Sequence, residues 1–320
     1  MVFDKSVNAL EIKKKRNLSK NFTIEDKKIS SFKLFLFPLL PIKIFSNINC
    51  IAMLSILMAL RFVLQFTSFY VPVFSFSISV SWTPLIIIGW IYGPIFGFIT
   101  GFATDTIGNL LSGSTWFWLY AIQEPMIGLI SALFAFFLKV RLRKNYCNKK
   151  WFIDFFIFEL IILGFSLICI YVLILQTNSD LSFEGSSKLE TFFLKNAIWI
   201  ISFSLLTFFI FIHIVAFIFY KKFKKNFILV IWTISLVCLL SILMSFILGP
   251  ISANEYYKFM HNGNSSPYWI KLGAIFYLIP RVFKESIKAP IQIFILITVI
   301  PMANSYVSKV ILNKKTKWGK

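Results

Sequence analysis

Acidic residues are scarce in this sequence: 13 Asp and Glu stand against 33 Lys and Arg, and charges of both signs make up only 14% of the chain. With 58% hydrophobic residues and a mean hydropathy of +0.79, a soluble 320-residue domain is excluded, because large apolar surfaces would be left in water. Cysteine is sparse too. Cys50, Cys147, Cys169 and Cys238 show no C-x-x-C spacing and mostly sit inside apolar runs, which argues for packing and against disulfides or thiolate metal sites. The two histidines, His213 in mid-span and His261 in a loop, have no third ligand nearby, so no metal is expected. H-E-x-x-H, G-x-S-x-G and P-loop motifs are all absent, which disfavours membrane enzymes of those types and leaves the chain without an ATP site. No catalytic residue and no cofactor is expected, and any ATP hydrolysis falls to partner subunits.

What is present is a series of apolar runs of about 20 residues, the length that crosses a hydrocarbon core as a helix at 1.5 Å per residue. Spans are expected near 48–66, 83–93, 94–111, 116–138, 151–175, 193–220, 227–250 and 281–308. The second and third are short and joined by Tyr92-Gly93-Pro94, a turn signal; short, broken helices line cavities more often than lipid. Before them, a polar stretch leads into Phe32–Phe45, which Pro38 and Pro41 break and which is too short to span, so it reads as interfacial rather than as a cleavable signal. The chain divides into a basic tail with this segment (1–47), a membrane core of four spans (48–138), a basic loop with a transmembrane hairpin (139–225), and two final spans with an outer loop and a basic tail (226–320).

The net charge of +20 would point to nucleic acid in a soluble protein, but here it is gathered in tails and short loops. The tail up to Lys43, the loop Lys139–Lys150, the loop Lys221–Lys225 and the tail Lys309–Lys320 hold 10, 6, 4 and 5 Lys or Arg. The outer loops hold Lys188 and Lys258 alone. This asymmetry places both termini in the cytoplasm and requires an even number of spans, eight by this count.

Charges inside spans are expensive and face one another or a wet cavity. Lys195 and Lys271 lie at span ends, where they snorkel. Arg61, Asp105 and Glu124 fall in the outer half, and Arg281, Lys284 and Lys288 repeat at i, i+3 and i+7, one cationic helix face. Two readings stand. Either Asp105, Glu124 and Glu285 neutralise these bases as structural ion pairs, or the cationic surplus binds an anionic ligand, with Trp82 and Trp116 stacking on a planar ring. The alternative for Trp82, Trp116 and Trp118 is the ordinary interfacial belt.

Two motifs carry a family likeness. Ile78–Leu111, ISVSWTPLIIIGWIYGPIFGFITGFATDTIGNLL, resembles the S-S-F-x-P, G-P-x-x-G-x-x-x-G and terminal Asp pattern of the substrate-binding S components of energy-coupling factor (ECF) transporters. Pro280-Arg281-Val282-Phe283-Lys284 followed by Pro290-Ile291 is similar to the P-R-x-x-K-x-x-x-x-x-P-I signature of the folate-type S components. The resemblance implies an all-α bundle with a six-helix core, here with an inserted two-helix hairpin. It implies a vitamin bound from outside and a coupling module of one membrane subunit and two cytoplasmic ATPases. It also implies that small residues on the first span, Ala52, Ser55 and Ala59, face the coupling subunit; ordinary small-xxx-small packing inside the bundle fits them equally. Gln123-Glu124-Pro125 departs from the small neutral residues of many family members, and the role of the hairpin is open.

The sequence therefore reads as a multi-pass cell-membrane protein, a folate-binding S component in which Arg281, Lys284 and Arg61 meet the carboxylates, Lys288 continues the basic wall of the ligand pocket, and Asp105 or Glu124 accepts from the pterin. The rivals are an S component for another vitamin, a proton-coupled carrier relaying protons through Asp105 and Glu124, and a structural membrane protein without a ligand. No inverted repeat is visible in support of the carrier.

Overall fold

Apolar segments with no water to satisfy their backbone close their hydrogen bonds internally, and the chain does so as helices. The structure is a computed structural model that describes residues 31–38, 48–71, 76–113, 115–143, 227–266 and 275–307, with separate positions between 153 and 218. In order, these form α1 (Ser31–Leu36), α2 (Ile48–Phe66), β1 (Phe69–Val71), β2 (Phe76–Ile78), α3 (Trp82–Tyr92), α4 (Pro94–Ser112), α5 (Trp118–Ala121), α6 (Gln123–Arg143), α7 (Phe227–Leu240), α8 (Gly249–Met260) and α9 (Ile275–Tyr306). Among the described residues four runs are long and apolar enough to cross a membrane: Ile48–Phe66, Trp118–Arg141, Ile228–Met260 and Pro280–Tyr306.

Among the described residues the centre of the bundle is α3. All of its residues from Thr83 to Tyr92 are buried, which is why its sequence is apolar on every side rather than along one stripe. The Tyr92 hydroxyl donates to the Cys50 carbonyl at 2.7 Å and ties α3 to α2. Gly93, at φ 94°, makes the turn into α4, and the Pro38 ring occupies the space that a Cβ there would need. Around α3 pack α2, α4, α6 and α9, with α7 packed on both α9 and α6.

The bundle is all-α in class, with a short antiparallel hairpin of β1 and β2 added after α2, Tyr70 opposite Ser77. One expectation is corrected. The span expected at 227–250 runs on to Met260, so that Lys258 lies on a helix and pairs with Glu255 at 2.6 Å instead of standing in a loop. The reason is local: Pro250 lacks an N–H and crowds the preceding turn, and the helix widens into eight π-helical residues, Ser241–Leu248, rather than stopping. The apolar run of the last span begins at Pro280, one residue from the expected start, on a helix that begins at Ile275.

The tail 1–30, Lys43, the loop 144–150, Lys188, Lys195, the stretch 221–225, Lys271 and the tail 308–320 lie outside the described residues, as does most of the hairpin at 151–220. Within that hairpin, residues 155–161 are helical. Glu159 Oε1 lies 3.2 Å from His213 Nε2, and Phe158 packs on Phe134 of α6 and Trp232 of α7.

Candidate functional site

One end of the bundle collects the end of α2, the hairpin, the end of α4, the start of α6, the end of α8 and the start of α9. Glycine brings them together. The backbones of Gly97 on α4 and Gly128 on α6 touch, so that a Cβ on either would strike the other, and Gly101 lies directly on the Glu124–Pro125 peptide. That close approach carries Glu124 onto α4, where Thr104 Oγ1 donates to Glu124 Oε2 at 3.0 Å. Arg61 of α2 completes the group: its Nη2 donates to Glu124 Oε1 in a buried ion pair, and its Nη1 donates to Gln65 Oε1 at 2.9 Å. Asp105 lies half-buried within the field of Arg61 and accepts from Asn109 Nδ2 at 3.1 Å.

A second group forms between α9, α3 and the π-helical segment. Lys288 Nζ donates to Glu285 Oε1 at 3.0 Å, and Ser241 Oγ donates to Glu285 Oε2 at 2.9 Å. Lys288 is 2% exposed, and its ammonium sits 3.2 Å from the centroid of the Trp82 ring, a cation–π contact in a desolvated place. Lys288 is thus enclosed by a carboxylate on one side and an indole on the other.

Arg281 and Lys284 complete the face. Arg281 reaches the Tyr120 hydroxyl, and its guanidinium lies against Gly249, where any side chain would displace it. Tyr120 stands in an aromatic group with Phe117 and Tyr256, at ring separations of 6.1 and 5.8 Å. Gln123 Nε2 donates to Ser252 Oγ at 3.2 Å and holds α6 to α8 beside it. Both bases are half-buried, and neither forms an ion pair with an acid among the described residues.

The structure therefore sorts the candidate residues. Arg61 and Glu124 go to each other, Lys288 goes to Glu285 and Trp82, and Arg281 and Lys284 lie in the field of Glu285 without forming an ion pair among the described residues. Trp116 is exposed and makes no ring or cation contact among the described residues, while Trp118 is exposed beside Phe117. Ala52, Ser55 and Ala59 are all exposed on α2. Sequence reading missed Tyr120, Tyr256, Thr104, Ser241 and Gly249. The chain has 11 Tyr, and nothing in their spacing sets these two apart; Gly249-Pro250 was the one available signal.

The bundle thus gathers two bases without an ion pair among the described residues and a group of aromatic rings at one end, an arrangement with the chemistry to hold an anionic, ring-bearing solute. Residues 45–187 match the family described as ECF-type riboflavin transporter, S component. The chain is a multi-pass protein of the cell membrane, and over those residues it is similar to the S components of ECF transporters. It belongs to one family with the uncharacterized protein MG313 of Mycoplasma genitalium, to which it is 30% identical over 291 residues, 88% of this chain and 99% of that protein. The MG313 homolog of Mycoplasma pneumoniae is 29% identical over 277 residues, 84% of this chain and 95% of that protein. No solved structure matches the chain.

Proposed function

We propose that the protein is the folate-binding S component of an ECF transporter, which captures its ligand at the end of the bundle bearing Arg281 and Lys284 and delivers it to an ATP-driven coupling module. The observation that carries this is the pair of bases on one face of α9 that forms no ion pair among the described residues, the nearby Glu285 being bonded to Lys288 and Ser241, next to the Tyr120–Tyr256–Phe117 rings. Folate brings what that place lacks: carboxylates for the two bases, by charge-assisted hydrogen bonds, and flat rings for the aromatics. The P-R-x-x-K motif supports the same assignment, because its Arg and Lys are these two residues.

The second reading is riboflavin, favoured by the family match over 45–187. Its weakness is that the matched stretch ends before α9, so it covers the packed scaffold and not the bases. Riboflavin itself carries no anion to meet them. In both readings the site end faces outside and the basic tails face the cytoplasm, as the Lys and Arg distribution requires. The exposed Ala52, Ser55 and Ala59 support a docking role for α2, because small side chains let another helix approach closely.

The test is binding in detergent without nucleotide. Folic acid is expected to raise the melting temperature by mass action; a shift with riboflavin and none with folates moves the assignment to the second reading.

A further inference from the structure

The cationic face of α9 does not end at Lys288. Eleven residues from Arg281, an almost whole number of helical turns, Gln292 continues the same face about 16 Å deeper into the bundle. It is 1% exposed, and its amide Nε2 has no hydrogen-bond partner. One turn above it lies Lys288, whose ammonium covers the ring of Trp82; the next residue, Thr83, is 2% exposed, and its Oγ1 also lacks a partner. Two packed helices, α3 and α9, thus each hold an unmet buried hydrogen-bonding group within a turn of the contact between Lys288 and Trp82. Buried polar groups are nearly always satisfied, and one left unpaired costs about 1–3 kcal/mol, so the pair calls for a group from outside the chain.

We propose that Gln292, with Thr83 beside it, is the specificity-determining floor of the site and reads the amide-like edge of the ligand ring. A primary amide offers a donor and an acceptor side by side, which matches a ring edge carrying a carbonyl next to an N–H. Nε2 donates to the ring carbonyl, Oε1 accepts from the adjacent ring N–H, and Trp82 walls the ring plane. The ring therefore enters first, and the anionic tail stays at Arg281 and Lys284. This rests on the vitamin-binding reading but not on which vitamin is bound, since pterin and isoalloxazine both carry such an edge.

Folic acid and its 4-deoxy analogue, with hydrogen in place of the ring carbonyl, distinguish the roles, since they share the tail and the ring plane and differ in whether the edge offers the amide two hydrogen bonds or one. The wild-type protein is expected to prefer folic acid by about tenfold or more, and Gln292→Leu to lose that preference. Gln292→Leu is also expected to hold or raise the melting temperature of the ligand-free protein, because an unpaired buried amide is removed. Equal discrimination by wild type and variant, or a lower ligand-free melting temperature, overturns the proposal. If wild type binds no folate at all, the folate reading fails, and the ligand-free melting of Gln292→Leu still decides whether this amide is structural. Thr83→Val serves as the second variant, with the same expected and overturning outcomes.

Discussion

Arg61 and Glu124, 63 residues apart in the chain, form an ion pair that is buried on both sides, with Thr104 holding the second carboxylate oxygen. The pair joins α2 to α6 through α4. It ties up Arg61 as it ties α2 down, and the two bases of the candidate site that form no ion pair among the described residues, Arg281 and Lys284, both lie on α9.

If that pair is structural, removing either member strands a buried charge. Arg61→Ala or Glu124→Ala is then expected to lower ligand-free stability by about 3–5 kcal/mol, whereas the Arg61→Met/Glu124→Leu double variant recovers most of the loss. Melting of the four proteins in detergent checks this. Equal stability throughout would mean that the pair does not hold α2.

Arg281→Ala and Lys284→Ala are expected to behave in the opposite way. Each is predicted to weaken ligand affinity by about 1.5–3 kcal/mol while changing ligand-free stability little, since no acid is stranded. Lys288→Met leaves Glu285 with Ser241 alone and is expected to fall with the structural group. Titration of the copurifying ligand beside ligand-free melting separates the two patterns.

The glycine contact makes a packing prediction. Gly128→Val places a side chain onto the Gly97 carbonyl, so α4 and α6 must part, and a loss of about 1–3 kcal/mol or more is expected. Because Glu124 rides on that contact, ligand affinity is expected to fall too; unchanged melting would show that the two helices are not tightly apposed.

A docking role for α2 predicts a separation of binding from transport. Leu at Ala52, Ser55 or Ala59 adds bulk to an exposed face and is expected to leave ligand affinity unchanged while preventing assembly with the coupling module. Copurification of the module with wild type and variants, in equal amounts, would remove that role.

The sequence shows the membrane class, the break at Gly93 and the cationic face of α9, because each rests on a local signal: hydropathy, a Gly-Pro turn, and i, i+3, i+7 spacing. It does not show which base meets which acid. Glu285, three residues before Lys288, was visible as a possible mate, but Glu124 reaches Arg61 only because Gly97, Gly101 and Gly128 let two helices touch, a fact of tertiary contact. Tyr120 and Ser241 were illegible for the same reason, each being one apolar-run residue among many until α8 and α9 are set beside it. The β1–β2 hairpin escaped because its strands are three residues each. The extension of the helix past Gly249-Pro250 escaped because that pair reads locally as a stop.

The central claim, that this chain by itself is a binder of an anionic, ring-bearing vitamin, is tested most directly by equilibrium binding of labelled folic acid to the purified protein without nucleotide or coupling module. The account predicts saturable binding at one site per chain, weakened in Arg281→Ala and Lys284→Ala. No saturable binding by the folded wild-type protein, or binding indifferent to both substitutions, would contradict it.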